Sequence, residues 1–210
     1  DIGGTTPGSL PPFATSIHEE GVVIDNFRLI KDNELRLDEL QNLLSDNDYP
    51  ARNLEERIAD IKAQIAAVNK GIIETERLIK KYGLETVHAY MGHIRENAAE
   101  SMRAALLAYL GEKEKLDLEF KDQLDNGDSI SVQISIEKGN NPPDTCRAKV
   151  DFSGTSSQMK GNQNAPVAVT KAAVLYVFRL LIDKDIPLNS GCLEPIKIIV
   201  PEGSLLKPED

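Results

Sequence analysis

Hydrophobic residues change their spacing several times along this chain, and each change marks a change of element. Residues 22 to 30, VVIDNFRLI, read as a short strand. Leu35, Leu37, Leu40, Leu43 and Leu44 are spaced for a short amphipathic helix that Ser45 to Pro50 breaks. From Asn53 onward, Leu54, Ile58, Ile61, Ile65, Val68 and Ile72 recur at alternating four- and three-residue steps, which keep one stripe of a long helix facing a partner. That helix ends near Tyr82-Gly83, where Gly83 suits a left-handed cap. A second stripe starts at once through Leu84, Val87, Met91, Ile94, Met102, Leu106 and Leu110. Two helices, each about 40 Å long at 1.5 Å per residue, joined by one tight turn predict an antiparallel hairpin.

After Gly111 the helical period disappears. Residues 116–120, 130–136 and 148–152 alternate strictly between apolar and polar, as half-buried strands do, with turns at Asp125 to Asp128 and Gly139 to Pro143. An apolar helix is expected from about Pro166 to Asp183, and Ile196 to Val200 supplies another strand. The class is therefore α+β: a long antiparallel helical hairpin plus antiparallel strands and a further helix. Three regions follow: a Gly/Pro-rich stretch with a short strand and helix over 1–50, the hairpin over 51–111, and an α+β region over 112–210. All three read as parts of one larger domain.

Composition narrows the function. Lys and Arg number 24 against 34 Asp and Glu, and a net charge of -10 repels a phosphate backbone, which argues against nucleic acid as a partner. Cys146 and Cys192 lie far apart with no metal-ligand spacing, so they read as buried thiols rather than a disulfide framework or a zinc site. With no apolar run of the roughly 20 residues a spanning helix needs and no signal-peptide pattern, a cytoplasmic location is expected. The abrupt opening at Asp1-Ile2-Gly3-Gly4 and the close at Lys207 to Asp210 read as cuts through a longer protein.

No P-loop, GxGxxG, HExxH or GxSxG motif is present, so nothing in the motifs supports ATP binding within this segment. Polar and glycine-rich blocks are the places where binding groups concentrate. Asp1, His18, Glu19 and Glu20 flank a rigid Pro/Gly loop and are donors suited to a divalent metal; composition alone favours separate solvated groups. Asn53, Asp60 and Gln64, with Arg52 beside them, form a polar row off the apolar stripe. That row fits a cleft wall or a solvated face with Asn53 as N-cap equally well. His88 and His93, five apart, do not stack as paired ligands and read as packing or surface residues. Ser153, Thr155, Ser156 and Ser157 have no His/Asp pattern beside them and read as loop hydrogen-bonding groups.

These blocks together resemble the hydantoinase B/5-oxoprolinase family, including N-methylhydantoinase B-like proteins. The resemblance rests on DIGGTTPGSLPP at 1–12, Glu20-Gly21, Arg52-Asn53 through Asp60 to Gln64 and Ala67, DFSGTSSQMKGNQNAP at 151–166, and Asp185 to Cys192, in that order. YGLETVHAYMGHI at 82–94 looks like the oxoprolinase branch. The resemblance implies an ATP-dependent hydrolase opening 5-oxoproline or a hydantoin ring, with ATP bound by a separate hydantoinase A-like half, which would be its partner. It implies catalytic roles for Arg52, Asn53, Asp60 and Gln64. Substrate contacts would come from Ser153, Gly154, Thr155, Gln158, Asn162, Asn164 and Asn189, and a divalent metal would be held at Asp1 with Glu20. The histidines that normally precede the aspartate of the family's first motif are absent here, so the isolated segment is expected to be inactive. Two other readings stand: a carboxylase subunit of the acetone or acetophenone type, and a noncatalytic assembly module.

Overall fold

Leu40, Leu44 and Ile58, brought together from two helices, are buried with Val22 and form the core of the first of two units in the computed structural model. The structure describes residues 2–8, 11, 13–32, 34–141, 144–183, 185–186 and 188–209, with backbone alone at 140, 141 and 144. The first unit comprises Asp1–Lys81 with Lys160–Gln163, and the second Tyr82–Met159 with Asn164–Asp210.

In the first unit a short helix, α1 (Ile17–Glu20), is followed by a two-residue ribbon of β1 (Ile30–Lys31) and β2 (Glu34–Leu35), then by α2 (Leu37–Ser45) and α3 (Leu54–Tyr82). The strand expected over 22–30 is not formed as such. Asn26 takes φ 47°, a left-handed turn conformation that bends the chain, and only Ile30 at the far end enters a ladder. Leu35 is used in that ladder, so α2 starts two residues later than its apolar spacing suggests. Phe27, Leu29, Leu54 and Ile61 pack around the small core. The stripe on α3 is buried only at Ile58, while Val68 and Ile72 stay more than half exposed.

The second unit opens with α4 (Leu84–Leu110), which follows α3 after Gly83 alone, at φ 85°. Ala98, Met102, Leu106 and Leu110 fall at four-residue steps and are buried, and Gly111 at φ 63° ends the helix by donating its N–H to the Leu107 carbonyl. β3 (Lys115–Gln123), β4 (Ser129–Asn141) and β5 (Asp144–Asp151) form an antiparallel meander, with the β3–β4 turn built on Asn126-Gly127 as expected. At the other end β4 runs through Gly139 to Asn141; Pro142 and Pro143, part of the second expected turn, lie outside the described residues. α5 (Val167–Arg179) then leads back to β6 (Ile196–Ile199), preceded by a 3₁₀ turn at Ser190–Leu193.

The sheet order is β3-β4-β5-β6, and β6 pairs parallel to β5, so the sheet is mixed rather than wholly antiparallel. A long connection carrying a helix joins β5 to β6, and such a connection permits parallel pairing where a tight hairpin cannot. Register places Leu116 opposite Ile136, Leu118 opposite Ile134, Ile136 opposite Ala148 and Val150 opposite Ile198, which puts the apolar residues on one face. α4 packs on β4 and β5, and Val174 and Phe178 of α5 join the same core. The architecture is α+β, with consecutive long helices, a four-stranded mixed sheet and a further helix.

Candidate functional site

Each of the two units carries part of the residue set named from the sequence. In the first, the glycines of the opening motif let two backbone segments touch. A Cβ at Gly4, φ 97°, would lie 2.7 Å from the Glu20 carbonyl oxygen, and one at Gly3, φ 101°, would lie 2.0 Å from that of Tyr49. No other residue fits there without displacing backbone. Thr5 donates its N–H to the Glu19 carbonyl at 2.8 Å and Val22 to that of Ile2 at 2.9 Å. Arg52 then clamps the loop, with Nη2 donating to the Gly4 carbonyl at 2.7 Å and Nη1 to that of Thr6 at 3.5 Å. The DIGG stretch, the Glu20-Gly21 turn and the Arg52-Asn53 pair, far apart in sequence, are thus one local construction.

The rest of the expected catalytic row is less tightly gathered. Asn53 sits at φ 53°, and its carbonyl accepts the first helical N–H groups, from Glu56 and Arg57; its side-chain amide donates to Glu56 at 2.6 Å instead of capping the backbone. Asp60 pairs with Arg57 at 3.2 Å, and Gln64 is exposed one turn further along α3. Glu19 is occupied locally by the Thr15 N–H at 2.7 Å, and Glu20 is half-buried. Asp1, the other expected metal ligand, lies outside the described residues. Among the described residues no three His, Cys, Asp or Glu side chains converge as a metal shell. Of the expected pair only Glu20 is described, and one half-buried carboxylate does not make a metal site.

In the second unit the loop after β5 is stitched to the start of β4. Thr155 Oγ1 accepts from the Ser131 N–H and donates to its carbonyl, each at 3.2 Å, while Ser156 Oγ accepts from the Ser129 N–H at 2.9 Å. Gly154 fits because a Cβ would fall 2.8 Å from Ser131 Oγ. Further on, Gln158 exchanges hydrogen bonds with the backbone of Glu209, and Asn164 clamps both backbone groups of Met159, at 3.0 and 2.8 Å. Asn189 caps the 3₁₀ turn by accepting from the Gly191 N–H at 2.8 Å. Asn162 belongs to the first unit, where its amide donates to the Pro11 carbonyl. The expected substrate contacts are therefore the residues that shape these polar loops.

Asp151 is a residue that sequence patterns did not single out. Its side chain is 15% exposed, bound by Lys149 at 2.8 Å and by the hydroxyl of Ser153 at 2.5 Å. Lys149 first, and Ser153 next, hold its carboxyl down to about 2. The signal was available: an Asp two residues before a Ser invites a side-chain turn, and Lys149 shares its strand face. Asp151 also stands, with Asp117, Arg147, Lys149 and Lys197, on the wall of a concavity of about 710 Å³ over the polar face of the sheet. None of the site residues expected from the sequence lines it.

Glycine-spaced loops, an Arg clamp and a polar loop stitched to a mixed sheet define the chain as a carrier of several ordered polar loops on an α+β frame. It belongs to the hydantoinase B/oxoprolinase family, whose model matches residues 1–210. Among curated relatives it is 40% identical to a 5-oxoprolinase of Dictyostelium discoideum over 99% of this chain and 16% of that protein. It is 37% identical to 5-oxoprolinase 1 of Arabidopsis thaliana over 100% of this chain and 18% of that protein. The B component of a putative D-/L-hydantoinase from a Pseudomonas species is 32% identical over 99% of this chain and 36% of its own length. The crystal structure of the ATP-dependent caprolactamase from Pseudomonas jessenii shares the fold, with TM-score 0.77 and 23% identity, covering all of this chain and 35% of that one. The chain spans between a sixth and just over a third of these relatives.

Proposed function

We propose that this chain is part of the hydantoinase B-like portion of an ATP-dependent cyclic-amide hydrolase, and that the ring it serves is 5-oxoproline. The reading is carried by identity over nearly the whole chain of 37–40% to proteins named 5-oxoprolinase, against 32% to the hydantoinase B component.

An unstrained cyclic amide resists water because resonance lowers the electrophilicity of its carbonyl carbon. ATP would phosphorylate the carbonyl oxygen in the hydantoinase A-like half. Water then adds to the carbon, the C–N bond opens to free the amine and leave an acyl phosphate, and a second water releases phosphate to give the carboxylate. The part assigned to this chain is to hold the ring and order the attack. Ser153 and the 154–164 loop supply hydroxyl and amide groups on a frame already fixed by Thr155, Ser156 and Asn164. Arg52 holds the DIGG loop, and Asp60 and Gln64, exposed a turn apart on α3, supply polar groups. A metal at Asp1 and Glu20 would need donors beyond the described residues.

The complete protein with its ATP-binding half should release glutamate from 5-oxoproline, with ATP consumed in step. Turnover of a hydantoin but not 5-oxoproline would move the substrate, and bicarbonate-dependent ATP use with a ketone would replace the hydrolase by a carboxylase. Stable assembly without any of these activities would leave a structural module.

A further inference from the structure

α5 has two apolar faces, and the unit's own core uses one. Thr170, Val174 and Phe178, at four-residue steps, are buried. A second stripe runs through Val169, Ala173, Tyr176, Val177 and Leu180 at the C-cap, with Val169 55%, Tyr176 67%, Val177 56% and Leu180 68% exposed. A helix apolar on both sides belongs inside a protein, because a surface helix carries polar residues on its outer face.

The chemistry of that stripe narrows what covers it. The charged residues of α5 are Lys171 and Arg179, and Arg179 is committed to the carbonyls of Ile182 and Ile186, at 3.2 and 3.1 Å. The stripe itself offers one polar atom, the Tyr176 hydroxyl. Transient partners meet surfaces of mixed polarity, whereas a charge-free apolar stripe is the composition of a permanent interface. Length supplies the occupant. The matched region amounts to 35% of the caprolactamase chain and 36% of the hydantoinase B component, so about two-thirds of such a polypeptide lies outside it.

We infer that the outer face of α5 is an internal interface, covered by the remaining two-thirds of the same hydantoinase B-like polypeptide rather than by a second copy or by the ATP-binding half. The inference rests on family membership and not on which ring is opened. It is tested in the complete protein by single cysteines at Val177→Cys and Ala173→Cys on the stripe, with Lys171→Cys as the exposed reference. Thiol labelling is read peptide by peptide by mass spectrometry. Cys146 and Cys192 are fully buried and serve as internal blanks. Both stripe positions should label on the order of 100-fold more slowly than position 171, as sites reached only by local opening do. That protection should be unchanged on dilution and without the ATP-binding half. Equal rates at all three positions would overturn the inference. Protection that vanishes on dilution would assign the cover to a second copy, and protection that appears only with the ATP-binding half would assign it there; either would overturn it too.

Discussion

Asp151 ties a strand end to the loop that follows it, and its charge has a measurable consequence. A carboxyl held at about 2 in the folded chain and free to titrate near its ordinary value when unfolded stabilises the fold fully above about pH 4. That contribution is lost as the pH falls through 2. Allowing for solvent screening of a pair whose Lys149 is half exposed, it amounts to roughly 1 kcal/mol. Asp151→Asn should therefore flatten the fall in melting temperature between about pH 4 and pH 2; parallel curves for variant and parent would refute the assignment. Arg103 points the other way. Its Nε and Nη1 are shielded from water with no hydrogen-bond partner among the described residues. Such a cation is costly to bury, so Arg103→Met should melt no lower than the parent, and a loss above about 1 kcal/mol would show a pairing that this geometry lacks. Neither residue stood out in the sequence. Asp151 was visible as part of a motif, but its partners depend on strand register, and the surroundings of Arg103 depend on which face of α4 the core takes. The glycines were more legible, since paired glycines ahead of a proline announce close backbone approach.

At the scale of elements, periodicity carried most of the information. α3, α4, the alternating strands and α5 lie where their apolar spacing puts them, although on α3 the stripe is buried only at Ile58. The failures came where a single backbone conformation decides the outcome. Asn26 breaks the expected strand over 22–30, and β6 joins parallel because the returning chain chooses the edge of β5. The four-residue stripe on α4 can be tested directly. Leu106→Ala should cost about 2–5 kcal/mol, as a fully buried leucine does. Met91→Ala, on the exposed N-terminal half of the helix, should stay within about 0.5 kcal/mol. Denaturant melts of both variants decide it, and equal losses would mean that the buried stripe of α4 continues into its N-terminal half. The candidate site followed the same division: the polar blocks were legible, while their grouping into an Arg52-clamped loop and a stitched 153–164 loop needed the fold.

For the whole molecule, the order in which residues become available matters as much as where they end. The first unit is discontinuous: Lys160–Gln163 belongs with Asp1–Lys81, and Asn162 holds the Pro11 carbonyl. On a ribosome adding 5–20 residues per second, that short segment emerges on the order of 4–16 s after Lys81. Through that interval the DIGG loop has its Arg52 clamp but not its Asn162 contact. The motif nearest the start of the chain is thus completed only once the 160–163 segment has emerged, and a piece ending at Lys81 carries it unfinished.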